Sequence, residues 1–504
     1  MGRSRLAGGR DVLALINFDS SSSALLEQLL AEGMLPVLAS LRERGCLVPL
    51  ETPGGVMSAS TYASVWSGVE PGDHGLYYPF QWKAEEQRVR SHDDFEKPEA
   101  IWERLSREGR QVIVVDAYEA WAPTVLRGTY LTGWQFTNRV VLRSCSIPAT
   151  AAARWRRRLG AGRHSADEVF GRPTERALTR LSATLVGASA RAADLVEAVL
   201  AEERADLLVV GLPAVHVGGH QLWDPASVLG APTSDPLRNG LRDVYAAADA
   251  ALGRIVGALP AGADTIVFSP IGMGPNTSRA DLAGSMVSAV LNGDGSRPAP
   301  ASSQRFRATV PASLRARVAQ GLPDRLAIEL ACRVELRGYD WRRTRAFAVP
   351  SDTTGLIRIN MRGREREGIL DPGDVDALCA ELAEGLASFS LPSGEPVVRS
   401  VEPLPSRYQS GVRFAQLPDL VVQWTSTPTA VEEMVSSPRF GTVRRVGGGT
   451  GRSGNHTPDA WALVVPGSSR IRETSRPAHV IDLAATAVSL HGLEPAGEPL
   501  LEPV

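Results

Sequence analysis

A short, mainly apolar segment followed by two histidines most strongly constrains how this chain can fold. Ala205–Leu212 is the kind of segment that forms a buried strand of a parallel sheet. His216 and His220 therefore follow the carboxyl end of a strand, where open α/β sheets bind their ligands. If the segment is helical, the two imidazoles share one face; if Gly218 and Gly219 form a tight loop, they can still converge on one metal ion. Two unrelated loop histidines are the alternative.

Two further stretches repeat the order of strand, polar residue and helix. Asp11–Phe18 predicts the first buried strand, and Asp19 at its carboxyl end suits a metal or phosphate site, or simply caps the next helix. Ser58 lies at the start of another predicted helix. A nucleophile there can face a phosphoryl or sulfuryl group, although a serine in this position is usually only a cap. His74 lies in a predicted turn, and we interpret it as structural.

Length and composition narrow the functional class. A chain of 504 residues is long for a single core, so we expect one large domain with an insertion, or two lobes. The formal net charge of -2 gives no reason to propose a nucleic-acid polymer or a membrane as partner. Four scattered cysteines are typical of reduced thiols, and no apolar leader precedes Asp11. We expect a cytoplasmic protein that acts on a small molecule.

The order of these motifs resembles the type I phosphodiesterase/nucleotide pyrophosphatase family of the alkaline phosphatase superfamily. Besides Asp19 and Ser58, the resemblance rests on residues 67–75 (Ser-Gly-Val-x-Pro-x-x-His-Gly), 355–369, 417–424, 454–456 and 481–486. It implies an alkaline-phosphatase-like α/β fold, with a central, mostly parallel sheet between helices and a cap-like insertion. We expect the core to comprise residues 11–297 and 411–504, and the insertion residues 298–410, opened by a linker at Pro298–Ser303.

In that family two metal ions, usually zinc, clamp the reacting group. The resemblance implies that Asp19 and Ser58 belong to the first metal site and that Ser58 is the nucleophile. The Asp-His pair that completes this site in the family is replaced by Pro270 and Ile271, which offer no ligand atom. Because two ligands are too few for a tight zinc site, we expect Asp19 to bind a weak second ion at most, or to position Ser58 or a water.

For the second metal site the resemblance implies three imidazoles, those of His216, His220 and His456. His216 stands where a carboxylate is commoner in the family. Three neutral imidazoles suit one zinc ion with one open coordination position, with manganese and iron as alternatives. We therefore expect one metal ion and not two.

Loss of the first site leaves three functions open. The chain is a metal-dependent hydrolase of a phosphate or sulfate ester; or the metal acts as a Lewis acid in non-phosphoryl chemistry on a small molecule; or the chain is a non-catalytic binding protein with a structural metal. The first two rank close together, ahead of the third, because a decayed site would not be expected to keep three imidazoles at matching positions. No base for Ser58 is visible in the sequence, which argues against a covalent phosphoserine.

Overall fold

An eight-stranded sheet forms the centre of the computed structural model, which describes residues 12–138, 140–160, 172–292, 322–431, 433–445 and 449–504. The strands of the described residues are β1 Leu13–Asn17, β2 Cys46–Leu50, β3 Phe80–Lys83, β4 Arg88–Ser91, β5 Val112–Val115, β6 Gly128–Thr132, β7 Cys145–Ile147, β8 Leu207–Gly211, β9 Asp264–Ser269, β10 Gly272–Pro275, β11 Ala346–Val349, β12 Gly355–Ile359, β13 Val398–Pro403, β14 Leu420–Trp424, β15 Met434–Ser437, β16 Gly441–Arg444, β17 Gly454–Thr457, β18 Ala460–Val465, β19 Ser469–Ile471 and β20 Leu501–Pro503.

The helices lie on both faces of this sheet and around a second, smaller one. They are α1 Ser23–Ala31, α2 Pro36–Arg44, α3 Ser60–Ser67, α4 Pro71–His74, α5 Ile101–Arg107, α6 Ala151–Leu159, α7 Glu175–Val186, α8 Ala188–Leu200, α9 Ala214–Leu222, α10 Pro225–Leu229, α11 Asp235–Arg238, α12 Gly240–Gly257, α13 Ala280–Asn292, α14 Asp324–Val334, α15 Val375–Ala387 and α16 Ile481–Ser489.

The central sheet has the strand order β2-β18-β9-β1-β8-β5-β6-β7. The five strands from β9 to β6 are mutually parallel, and antiparallel strands close both edges. Strands β1, β5 and β8 are buried along their whole length, because helices cover both faces. The predicted alkaline-phosphatase-like architecture, a mostly parallel sheet between helices, is confirmed.

A second sheet, of order β11-β12-β14-β13, is entirely antiparallel. It shares a hydrophobic cluster with helices α13 and α15. We expect the insertion to end at residue 410, but strand β14 of this sheet lies beyond that residue. The division into core and insertion stays a prediction. The predicted linker Pro298–Ser303 lies outside the described residues.

Membrane-spanning capacity can be judged from helix length and composition. Among the described residues, no single helix is long and apolar enough to cross a bilayer. The pair α1 and α2 meets that test only when the two are taken together, across a bend of 99°.

Candidate metal centre

The first two histidines lie on one face of helix α9, which follows strand β8. His216 and His220 are one turn apart and buried, and their Nε2 atoms lie 3.1 Å from each other. Gly218 and Gly219 do not break the helix but let it pack closely: a Cβ on Gly219 would lie 2.7 Å from Met273 Cγ. Of the two conformations left open by the sequence, the helix is the one adopted.

The third histidine comes from strand β17, which pairs with β10. Its backbone approaches α9 very closely, since a Cβ on Gly454 would lie 2.2 Å from the carbonyl oxygen of Gly219. The close approach brings the imidazole of His456 against the other two. The ring centroid of His456 lies 4.8 Å from that of His216 and 4.6 Å from that of His220.

The three imidazoles fit a single metal ion. One nitrogen from each ring lies within 4.8 Å of the others, and no other group of three or more potential ligand residues occurs in the described parts of the chain. His456 Nδ1 is buried without a hydrogen-bond partner. Burial lowers the pKa of both His220 and His456, which keeps these rings in the neutral form that binds metals.

The outer nitrogens of the first two rings are held by the protein. His216 Nδ1 lies 3.2 Å from Asp19 Oδ2, and His220 Nδ1 lies 3.0 Å from the carbonyl oxygen of Gly454. Asp19 also accepts a hydrogen bond from the Tyr62 hydroxyl at 2.5 Å. Asp19 therefore contacts His216 from the side away from His220, which is the usual position of a group that orients a metal-binding histidine.

Ser58 lies in the turn that precedes helix α3, and its side chain is directed to a different carboxylate. Its hydroxyl donates to Asp352 Oδ1 at 3.0 Å. Asp352 Oδ2 in turn accepts a hydrogen bond from Arg452 Nη1 at 3.0 Å. Among the described residues, no hydrogen bond joins Ser58 to Asp19; the two residues that the resemblance assigns to one metal site bind different partners.

Sequence reasoning missed Asp352 and Arg452. Asp352 is 294 positions from Ser58, in the loop between β11 and β12, and Arg452 lies in the loop before β17. Neither residue belongs to a local motif that marks a site. The one signal that could have pointed to these two residues is their position in the sequence. Asp352 lies three positions before the 355–369 segment, and Arg452 lies two positions before Gly454-Asn-His456.

Two carboxyl groups near Ser58 have pKa values shifted in opposite directions. Burial tends to raise the pKa of Asp352, but the charge and hydrogen bond of Arg452 outweigh it and hold that pKa below its ordinary value, so Asp352 is ionised at neutral pH. Burial, reinforced by Asp352 and Asp19, raises the pKa of Glu119 well above its ordinary value. Glu119 belongs to a small cleft beside the Ser58 turn, lined by Ala59, Ala63, Leu76, Tyr78, His92, Glu119 and Trp121.

The segment that would complete the first metal site is apolar. Ile271 is fully buried in a hydrophobic cluster that includes Trp66 and Phe268. A Cβ on Gly54 would lie 2.7 Å from Ile271 Cδ1, so the isoleucine packs directly against the loop that leads to Ser58. The space next to that loop is thus occupied by hydrocarbon and not by ligand atoms.

His74, which we interpret from the sequence as structural, lies beneath helix α3. The ring is fully buried beneath α3, its Nδ1 accepts from the backbone amide of Leu76 at 2.9 Å, and its Nε2 lies 3.2 Å from Ser64 Oγ. Burial lowers the pKa of His74 to about 3. These contacts are those of a structural residue.

Comparison with known proteins gives one family and one fold. The family model described as type I phosphodiesterase/nucleotide pyrophosphatase matches residues 13–444. Phosphonoacetate hydrolase from Sinorhizobium meliloti 1021 has a similar structure in its complexes with phosphonoformate (15% identity, TM-score 0.51) and with phosphonoacetate (14%, 0.51), each alignment covering 95% of both chains. Murine ectonucleotide pyrophosphatase/phosphodiesterase 5, an inactive variant in complex with AMP, gives 11% identity and a TM-score of 0.47 over 98% of this chain and 100% of that one. No curated protein matches the sequence at a significant level.

Proposed function

Because the chain belongs to the type I phosphodiesterase/nucleotide pyrophosphatase family of hydrolases, we propose that it hydrolyses a phosphate ester of a small molecule at a site with one metal ion. The observation that carries the proposal is the convergence of His216, His220 and His456 on one point, while a buried Ile271 stands where the family has a ligand of its first metal site. The family favours a phosphate over a sulfate ester.

We propose zinc as the metal, because buried neutral imidazoles suit it. When bound, it would supply positive charge that stabilises the transferring phosphoryl group. Asp19 supports this assignment: a hydrogen bond from His216 Nδ1 to its carboxylate leaves Nε2 as the nitrogen with a free lone pair. The backbone carbonyl of Gly454 does the same for His220.

Ser58 is the proposed nucleophile. It is 7% exposed, and its position before helix α3 matches the place of the family's nucleophile. In the proposed reaction Ser58 Oγ attacks phosphorus and the leaving group departs, after which water releases the product. The small cleft lined by Tyr78, Glu119 and Trp121 lies next to this turn and is a candidate for part of the substrate site.

The test combines metal content with turnover. We expect about one equivalent of zinc per chain, and hydrolysis of bis-p-nitrophenyl phosphate or p-nitrophenyl phosphate. The panel also contains ATP and phosphonoacetate, whose turnover would instead indicate cleavage of a phosphoanhydride or of a phosphorus–carbon bond. His220→Ala should lose both zinc and turnover. The control is Asp371→Asn, which changes an exposed carboxylate paired with Arg362 and should leave both unchanged.

Other outcomes favour other functions. Zinc retained in the wild type without turnover of any ester, together with thermal stabilisation by one of the compounds, would favour a binding protein. Two equivalents of zinc would contradict the single-ion site.

A further inference from the structure

We propose that Asp352 is the base that accepts the proton of Ser58, a task that a metal ion performs in a two-metal site. The inference rests on the proposed function, since it takes Ser58 as the nucleophile. It assigns a catalytic role to a residue of the second sheet. Asp352 thereby supplies the base that sequence reasoning could not find.

The geometry is that of a nucleophile, a base and a group that orients the base. Ser58 Oγ donates to Asp352 Oδ1 at 3.0 Å, within the distance needed for direct proton transfer. The other carboxylate oxygen, Oδ2, accepts from Arg452 Nη1 at 3.0 Å. Because the side chains of Asp352 and Arg452 are only 17% and 11% exposed, water competes little for these hydrogen bonds.

The loop that carries Asp352 is fixed to both halves of the site. Asn455 Nδ2 donates to the backbone carbonyl of Asp352 at 2.7 Å, and Asn455 is adjacent to His456. On the other side, Thr354 Oγ1 donates to the carbonyl of Val56 at 2.8 Å, in the loop that leads to Ser58. These two bonds hold the carboxylate against the serine hydroxyl.

Other groups cannot take this role. Asp19 is engaged with the Tyr62 hydroxyl and His216, and Pro270 and Ile271 have no polar side-chain atom. Among the described residues, the carboxylate that contacts Ser58 is that of Asp352.

The proton of Ser58 passes to Asp352 Oδ1 while the serine oxygen forms a bond to phosphorus, and the bond from phosphorus to the leaving oxygen breaks. The leaving group departs with the electron pair and takes a proton from solvent. In the second step water attacks phosphorus, the serine oxygen leaves and recovers the proton from Asp352, and the water releases one proton to solvent.

The experiment follows Ser58 in two independent ways. Turnover is measured with the best ester of the panel. Covalent labelling of Ser58 by diisopropyl fluorophosphate is measured by mass spectrometry of the peptide that contains it, and requires no knowledge of the natural substrate. Asp352→Asn preserves the size of the side chain, Ser58→Ala removes the labelled atom, and Asp371→Asn is the matched control.

We expect Asp352→Asn to slow both labelling and turnover at pH 7 by about 100-fold or more, the usual contribution of a general base. Zinc content and melting temperature should stay those of the wild type. The residual rate should rise about tenfold per pH unit between pH 7 and 9, because solvent hydroxide then has to remove the proton, whereas the wild-type rate should depend much less on pH. A carboxylate that only shapes the loop would not change this pH profile.

Rates for Asp352→Asn within threefold of the wild type, or a lower rate with the wild-type pH profile, would overturn the inference. Should that variant fail to fold, the labelling rates of Asp352→Glu and Asp352→Gln are compared instead. The two side chains have equal size, and only the glutamate has a carboxylate. We expect the glutamate variant to label at least tenfold faster, and equal rates would overturn the role. If Ser58→Ala turns over esters like the wild type, the inference fails together with the nucleophile role of Ser58, while zinc-dependent hydrolysis of a phosphate ester stands. Absence of turnover in the wild type with intact labelling counts against the function alone.

Discussion

The two halves of the candidate site are built on different principles. The three-histidine half is built from helix α9 and strand β17 and depends on close backbone contact, where Gly454 approaches Gly219. The serine half joins two sheets, because Ser58 belongs to the loop before α3 and Asp352 to the loop between β11 and β12. The histidine half contains the three candidate metal ligands and the groups that orient two of them, Asp19 and the Gly454 carbonyl. In the other half hydrocarbon replaces ligands, and a carboxylate from the second sheet contacts the serine.

The largest effect is expected from Gly454→Val, which should disrupt the histidine half. Any side chain at this position meets the carbonyl oxygen of Gly219 at 2.2 Å, so β17 has to move away from α9 and take His456 with it. We expect zinc affinity to fall at least 100-fold and the free energy of unfolding to fall by about 1–3 kcal/mol. Competition with a fluorescent zinc chelator and urea denaturation measure the two quantities.

The control for this variant is Gly373→Val. Nothing lies within 4 Å of a Cβ at that exposed glycine, so both quantities should stay close to those of the wild type. Equal zinc affinity in the two valine variants would show that the approach of β17 to α9 does not build the metal centre.

Asp19→Asn should weaken the histidine half and leave the serine half nearly unchanged. The amide keeps the shape of the side chain but weakens its hydrogen bond to His216 Nδ1, so we expect a 10–100-fold loss of zinc affinity. Because Asp19 does not contact Ser58, labelling of Ser58 by diisopropyl fluorophosphate in chelator-treated protein should change less than threefold. A large loss of labelling would mean that Asp19 acts on the serine half instead.

Ile271→His puts an imidazole at the position where the family has the histidine of its first metal site. The side chain at this position is fully buried among apolar residues, so we expect the free energy of unfolding to fall by about 1–3 kcal/mol. Zinc content should remain at one equivalent, since the neighbouring Pro270 still offers no ligand atom. Metal analysis and urea denaturation test this, and a second equivalent of zinc would show that the serine half can still hold an ion.

The last prediction concerns acid and His74, whose ring is buried beneath helix α3. The pKa of His74 is about 3 in the folded protein and near 6.5 when the chain is unfolded, so the unfolded state takes up the proton first. Stability is therefore lost as pH falls from about 6.5 toward 3, by at most about 1.4 kcal/mol per pH unit from this residue. Urea midpoints of chelator-treated protein should decline less steeply with acid in His74→Gln than in the wild type. Parallel declines would exclude this residue as a source of acid sensitivity.

Local pattern was enough to predict much of the fold. Apolar runs at residues 11–18 and 205–212 predicted strands β1 and β8, which occur as Leu13–Asn17 and Leu207–Gly211. The conformation at 216–220 could not be decided locally, because two glycines disfavour a helix that tertiary packing against Met273 stabilises.

The partners of Ser58 lay beyond the reach of any local pattern. Asp352 and Arg452 are ordinary loop residues in the sequence, and only tertiary packing places Asp352 beside Ser58 and Arg452 beside Asp352. For the same reason the histidine half, whose ligands fall in spaced motifs, was predicted more completely than the serine half.

The separation of Ser58 from Asp352 by 294 positions has a consequence for the time course of folding. During synthesis the serine leaves the ribosome long before its carboxylate partner, and the last histidine of the metal centre follows later still. Contacts of such long range form late, because the intervening chain has to be ordered first. With Asp352 as the proposed base, a nascent or truncated polypeptide carries an unactivated Ser58 hydroxyl, and the proposed activity arises only when nearly the whole chain has been made.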